Sequence, residues 1–294
     1  MLITVGGKQK EFSQGTNALD ILKELDPAAG KAAIAARLNG QLVELMQPLS
    51  EDGELSPLGF EDDQARHVLR HTASHVMANA VKNLFPDTRL AIGPAIDSGF
   101  YYDFDMKEPL TPEDLAKIEK EMQRIIKKND REERFTLPRE EAIRLMEERG
   151  EPYKVELIND LPEGTELSFY RQGDFVDLCA GPHVPSTGRI KAFKLTSLAG
   201  AYWRGSEKNK MLQRVYGTAF TNKEDLNAYL QQIEEAKKRD HRKLGRELDL
   251  FDILDEGPGF PFFFPKGMVI RNILEDYWRD IHREHGYDEI KTPI

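Results

Sequence analysis

Three imidazoles and one thiol in this chain sit at spacings that could do chemistry. His71 and His75 are four residues apart, one turn of a helix, and the single cysteine, Cys179, precedes His183 by four. Thiolate and neutral imidazole are the usual ligands of tetrahedral zinc, so the set could hold a metal. The same groups could work without one, polarising water or a substrate hydroxyl as general acid or base. Gly181-Pro182 lies between Cys179 and His183 and makes a rigid loop able to present both to a cleft. The bland readings stand beside these, because a lone cysteine is commonly a small buried hydrophobe and a lone histidine is commonly structural. Spacing alone does not choose. The frequent catalytic signatures are absent: no G-x-S-x-G elbow, no phosphate-binding G-x-x-x-x-G-K-[ST], and no G-x-G-x-x-G after a strand.

The elements that must position these groups are legible in part. A helix is expected over 66–84. At about 100° per residue, Leu69, Ala73, Val76, Met77 and Ala80 gather round one apolar centre, while His71 and His75 fall on the far side. They therefore share a polar stripe. A hairpin is expected over 88–105, around Gly93-Pro94 and Gly99. Thr111, Pro112, Glu113 and Asp114 form a helix start, with Thr111 as cap, for a helix to about 128. Another helix runs from about 138 to Gly150, and strand-like runs follow at 153–158, 167–171, 174–178, 190–196 and 211–220.

Upstream, residues 1–61 read as a small mixed module of β-grasp type. Leu2-Ile3-Thr4-Val5 and a second strand through Phe12 flank Gly6-Gly7, and Thr16 is the expected cap of a helix over 18–25. Asn39-Gly40 between two apolar runs is a strong hairpin signal. The module carries 5 Lys+Arg against 9 Asp+Glu, a poor charge balance for nucleic acid. Downstream, 222–250 returns to helix, and 236–246 holds six Lys+Arg against one Asp. That run reads either as a solvated helix face or as an RNA-facing linker. A helix over 267–285 and a strand ending Thr292-Pro293-Ile294 close the chain, which reads as a fragment.

The 294 residues suit two or three domains. With 39% hydrophobic and 31% charged residues, there is apolar material for real cores. The mean hydropathy of −0.57 and the lack of an apolar run of about 18 residues exclude a membrane-spanning helix. No secretory signal is evident in the first 25 residues, and one cysteine fits a reducing, cytoplasmic setting. The net charge of −10 means that any nucleic-acid contact must use local basic patches.

Taken together, these segments resemble the N-terminal part of bacterial threonyl-tRNA synthetases. The likeness rests on His71-Thr72-Ala73-Ser74-His75, on AIGP at 91–94 and GFYYD at 99–103, and on Tyr153-Lys154-Val155. It continues through VDLCAGPH at 176–183, GAYWRG at 200–205, QRVYGT at 213–218, DHRKLG at 240–245 and LDLF at 248–251. It is collinear over essentially the whole chain. Alanyl-type editing domains share only the His-x-x-x-His and Cys-x-x-x-His core.

The resemblance implies an α+β protein: a TGS β-grasp module at 1–61 and an editing domain at 62–224 with antiparallel sheet and long helices. A linker helix at 225–250 would follow, then the start of a class II catalytic domain at 251–294, its motif 1 region. It implies hydrolysis of mischarged Ser-tRNA(Thr), with the aminoacylation motifs beyond Ile294. His71 and His75 would position the terminal ribose hydroxyl and the attacking water. Cys179 and His183 would line the amino-acid pocket, and Lys154 would stabilise charge on the ester oxygen. Asp177, Tyr102 and Gly93 would contact substrate, Asp177 binding the serine ammonium or orienting a histidine and Tyr102 stacking on the terminal adenine. Editing would need no cofactor. The family's ATP, magnesium and zinc belong to the catalytic domain, and its partners are tRNA(Thr) and a second subunit, with no membrane. A zinc hydrolase of the alanyl-editing type and a non-catalytic tRNA-binding module are the competing readings.

Overall fold

The computed structural model describes residues 1–292. Ile3 and Val5 turn inward from strand β1 (Leu2–Val5), which returns through Gly6-Gly7, both at positive φ, into β2 (Lys8–Glu11). Helix α1 (Ala18–Leu25) buries Leu19, Ile21, Leu22 and Leu25. Its cap is Asn17, whose side chain accepts the Asp20 N–H at 2.9 Å, and not Thr16, whose hydroxyl donates to the Ser13 carbonyl. The short α2 (Pro27–Ala32), too brief to show a period, was not anticipated. Strands β3 (Ala35–Leu38) and β4 (Gln41–Val43) meet through Asn39-Gly40, whose φ values of 51° and 84° are those of a type I′ turn. With β5 (Gly53–Leu58) the sheet order is β2-β1-β5-β3-β4, the central β1–β5 pair parallel. This is the β-grasp arrangement expected.

Helix α3 (Asp63–Leu84) starts at Asp62, whose carboxylate accepts the N–H groups of Gln64 and Ala65. It is not amphipathic in the expected way. From Val68 to Val81 it is buried on nearly every side, and Arg70, Thr72, Ser74, His75 and Asn79 lie inside with Leu69, Val76 and Met77. The reason is that it runs between two sheets. Strands β6 (Arg89–Leu90), β7 (Ala95–Ile96) and β8 (Gly99–Asp105) begin the sheet on its apolar side. Helix α4 (Pro112–Lys128) starts as expected, the Asp114 carboxylate accepting both the N–H and the hydroxyl of Thr111, and it ends at Asn129 in the left-handed region.

Strand β9 (Glu132–Leu137) and helix α5 (Arg139–Glu148) follow. The run at 153–158 is not a strand. It is helix α6 (Pro152–Asp160), opened by Pro152 at its first turn, and its buried residues Lys154 and Ile158 stand four apart on one face. Strands β10 (Leu167–Gln172) and β11 (Phe175–Leu178) join β9 in the order β11-β10-β9. Strands β12 (Ala192–Tyr202) and β13 (Met211–Phe220) complete the other sheet as β12-β13-β8-β6, with β7 on β8; both sheets are antiparallel.

The chain divides into two compact units, Met1–Leu226 and Asn227–Ile294. Most of helix α7 (Lys223–Lys238) and all of α8 (His241–Glu247), β14 (Phe251–Ile253), β15 (Pro261–Phe263) and α9 (Pro265–Glu284) fall in the second. The β14–β15 hairpin was not anticipated, and no strand forms up to Thr292; the last two residues of that expected strand lie outside the described ones. In the basic run, Lys238 and Arg239 reach Glu235, Arg242 reaches Asp240, Lys243 reaches Glu247 and Arg246 reaches Asp252.

One buried carboxyl marks the polar layer behind α3. Glu132 accepts from Gln172 Nε2 at 2.6 Å, and Gln172 accepts from Asn79 at 2.8 Å. Burial pushes the Glu132 carboxyl up to about 8. It therefore stays protonated in the folded chain while the unfolded chain ionises near its usual value, and the stability it leaves intact at low pH is lost as pH rises towards 8. We expect Glu132→Gln, which copies the neutral form, to raise unfolding free energy by about 2–3 kcal/mol at pH 7 and to change little near pH 4.5. Urea unfolding at the two pH values checks this; destabilisation at pH 7 would contradict it.

Candidate active site

Two elements of the first unit bring the cluster together. Helix α3 presents His71 and His75 one turn apart, and β11 ends at Leu178 in the loop that carries Cys179 and His183. Gly181 holds that loop at a φ of 75°, and the Gly181–Pro182 peptide is cis. One ligand atom from each of His71, His75, Cys179 and His183 lies within 4.8 Å of the others. Cys179 Sγ is 3.3 Å from both His71 Nε2 and His183 Nε2.

The far ring nitrogens bear on the tautomers. With the Thr72 hydroxyl proton on the Val68 carbonyl at 3.1 Å, His183 Nδ1, 3.1 Å from the same oxygen, is the donor. His71 Nδ1 faces the Pro182 carbonyl at 3.3 Å and can only donate to it. Both rings are thus left with an Nε2 lone pair beside the thiol. Carbonyl and hydroxyl partners of this kind are also what orient zinc-binding imidazoles. Two of the donor separations, at 3.3 Å, are close to the edge of about 3.3–3.6 Å in a tetrahedral zinc site, and one thiol with three imidazoles is a donor set of the kind that ion takes.

Beside the cluster lies a buried ion pair. Lys154, from α6, places Nζ 2.6 Å from Asp177 Oδ1. Tyr102 donates its hydroxyl to Asp177 Oδ2 at 2.6 Å, and His75 Nδ1 is 3.7 Å from that oxygen. Burial alone would raise the Asp177 carboxyl, but Lys154, His75 and the Tyr102 hydroxyl hold it below the usual range. Burial dominates the neighbours. It lowers His71 to about 3, helped by His75, and His75 to about 4, with Asp177 partly opposing; His183 is also driven well down. The same burial pushes the Cys179 thiol up to about 12. At neutral pH the cluster is therefore three neutral imidazoles and a protonated thiol, next to one compensated pair of charges.

All of His71, His75, Lys154, Asp177, Cys179 and His183 meet in this site. Tyr102 and Gly93 differ from expectation. The Tyr102 ring is fully buried and stacks on Phe104 at 5.0 Å, so it has no face for an adenine; its hydroxyl serves Asp177 instead. Gly93 lies against that ring, where a Cβ would come within 2.0 Å of Tyr102 Cδ2, and its carbonyl accepts from Ser74 at 2.6 Å. Both Asp177 oxygens are engaged, Oδ1 by Lys154 and Oδ2 by Tyr102, with His75 Nδ1 3.7 Å from Oδ2. Sequence reasoning missed Thr72, though it sits inside the His71–His75 run, and it missed Tyr170 and Glu44. Tyr170 packs its ring 4.3 Å from that of His183, and Glu44 accepts the His183 N–H at 2.9 Å.

Comparison with known proteins agrees with this architecture. Residues 3–56 match the TGS domain, and residues 167–216, which include β10, β11 and the Cys179–His183 loop, match the threonyl and alanyl tRNA synthetase second additional domain. The second of these families, an editing domain, takes its name from threonyl and alanyl tRNA synthetases. In its particular sequence the chain matches the N-terminal region of bacterial threonine--tRNA ligases. It is 63% identical over 288 residues to proteins of that name from Acetivibrio thermocellus and Clostridium tetani, and to one from Clostridium botulinum strain Kyoto. The matches cover 98% of this chain and 45% of each relative.

Removing one member of a buried ion pair strands the other, which costs about 3–5 kcal/mol. We expect a loss of that size from Lys154→Met, with at least half of it recovered when Asp177→Asn is added. Denaturant unfolding measures both; a single substitution costing under about 1 kcal/mol would contradict the pairing.

Proposed function

We propose that this site removes serine from mischarged Ser-tRNA(Thr) by hydrolysing the ester between the amino acid and the terminal ribose. The observation that carries the reading is the neutral histidine–thiol cluster set against the Lys154–Asp177 pair, in a chain whose relatives are named threonine--tRNA ligase. In full, such a ligase would attach threonine to tRNA(Thr) with ATP, act as a homodimer in the cytoplasm and meet the tRNA partly through the parts this chain spans. The boundaries that fit are 1–61 for the TGS module, 62–224 for the editing domain, 225–250 for a linker and 251–294 for the start of the catalytic domain.

The need for such a site is physical. A pocket that hydrogen-bonds the threonine hydroxyl rejects valine strongly, because a buried polar group is then left unpaired. It rejects serine poorly, because one missing methyl is worth only about 1–3 kcal/mol. A second pocket that admits serine and excludes threonine by size restores the margin.

In this reading His71 and His75 hold the ribose hydroxyl and the attacking water at the ester carbonyl. The Nε2 lone pairs of His71 and His183 accept from water without carrying charge, which suits attack of water on an uncharged ester carbonyl. Oxygen of water bonds to the carbonyl carbon, the bond between that carbon and the ribose oxygen breaks, and the ribose oxygen takes up one proton of the water, giving free serine and a ribose hydroxyl. Lys154 places positive charge near the developing oxyanion, and Asp177 keeps both Lys154 and His75 in place. Cys179 and His183 wall the amino-acid side. We propose that this chemistry needs no cofactor, the imidazoles themselves holding the water. A zinc ion, held by His71, His75, Cys179 and His183, would supply a bound water of lowered pKa.

The test is deacylation of Ser-tRNA(Thr) beside Thr-tRNA(Thr). The chain should release serine at least about 100-fold faster than His75→Ala, spare threonine, and keep its rate after dialysis against a chelator. Equal loss of both amino acids, or no effect of His75→Ala, would overturn the reading. Abolition by the chelator alone would replace it with a zinc hydrolase of the alanyl-editing type.

A further inference from the structure

The loop that carries Cys179 and His183 rests on a residue from the β-grasp module. Glu44 directly follows β4, and its Oε1 accepts the backbone N–H of His183 at 2.9 Å. The same oxygen accepts the hydroxyl of Tyr170, whose ring lies 4.3 Å from the His183 imidazole. The loop is laid directly on this pair. A Cβ at Gly181 would fall 2.1 Å from the Tyr170 hydroxyl oxygen and 2.8 Å from Glu44 Oε1. At its other end the loop is tied by Ser168, which accepts the Cys179 N–H at 3.0 Å and donates to the Cys179 carbonyl at 2.6 Å. His183 is thus held at three points: its Nδ1 by Thr72, its ring by Tyr170, and its backbone by Glu44.

Glu44 is one of several ties between the two modules. Arg189 donates to the carbonyls of Lys31 and Ala33 at 2.6 and 3.2 Å, and Arg37 pairs with Asp62 at 2.9 Å. Ile34, Ala35 and Leu58 join the apolar core built on α3. The seat of the module therefore survives loss of the Glu44 carboxylate, while the His183 anchor does not.

We propose that Glu44 is a positioning residue for the hydrolytic site, so that the β-grasp module is a working part of that site rather than an appended domain. The inference rests on the function proposed above. Glu44 touches no reacting atom; it fixes the backbone from which His183 reaches the cluster. Displacing a catalytic group by about 1 Å can cost on the order of 100-fold in rate.

The experiment compares Glu44→Ala, Glu44→Gln, Tyr170→Phe and His75→Ala in the full chain, by serine release from Ser-tRNA(Thr) and by side-chain NMR of the imidazoles. Glu44→Ala should lower kcat about 10–100-fold with KM within about threefold. Glu44→Gln, which keeps an oxygen at the same place, should restore most of the rate, and Tyr170→Phe should fall between. The His183 ring resonances should move in Glu44→Ala and return in Glu44→Gln. A Glu44→Ala protein with normal kcat, or a Glu44→Gln protein as impaired as Glu44→Ala, would overturn the proposal. Should Glu44→Ala fail to fold, Glu44→Gln and Tyr170→Phe decide it: full activity in the first and a reduced kcat in the second support it, and the reverse order overturns it. Should the unaltered chain release no serine, the function fails but the positioning is still read from His183, whose resonances unchanged in Glu44→Ala would end it.

Discussion

The contact between the Lys154 ammonium and the Asp177 carboxylate governs the rest of the site. Two charges 2.6 Å apart and almost wholly buried are costly to desolvate, several kcal/mol for each ion. Their attraction offsets this only where the remaining lone pairs are also satisfied. Asp177 meets that condition through Tyr102 on its second oxygen and the edge of His75. Each partner then imposes a constraint of its own. Tyr102 must lie flat in the core to reach Asp177, so the chain beneath its ring must be Gly93. Lys154 must point inward, so residues 152–160 wind into a helix with Lys154 and Ile158 on the buried face.

The same scarcity of water shapes the catalytic cluster. Burial holds the imidazoles neutral and the thiol protonated, the Asp177 charge being already engaged by Lys154 and Tyr102. What the site offers instead is direction. The Pro182 carbonyl and the Thr72 hydroxyl face the outer ring nitrogens of His71 and His183, Glu44 holds the His183 backbone N–H, and the Nε2 atoms of His71 and His183 both face the Cys179 sulfur. A set of aimed neutral acceptors suits the proposed attack of water on an ester carbonyl better than it suits a strong protein nucleophile.

Much of this was legible in the sequence, and the exceptions share a cause. Asn39-Gly40, the Thr111-Pro112 helix start and the His71, His75, Cys179 and His183 spacings are local signals, and each leads to the element or cluster it implies. Helix α3 lies where its period puts it and His71 and His75 share a polar stripe, but nothing local says that a second sheet and a loop more than 100 residues away cover that side. The 153–158 run alternates well enough to pass for a strand, and only the burial of Lys154 and Ile158 together shows the helical period. Glu44 carried no signal at all. Its partner His183 is 139 residues away, and an acidic residue after a short edge strand reads as solvent-facing.

The central claim is that burial beside one compensated ion pair keeps the histidine cluster uncharged where it works. It is tested most directly by following the side-chain nitrogens of His71, His75 and His183 by NMR across pH in chelator-treated protein. The account predicts that none of the three takes a proton between pH 8 and pH 5, with His75 titrating near 4 and His71 near 3. Protonation of any of them at the usual imidazole value of about 6.5 would show a wet, chargeable site and contradict it.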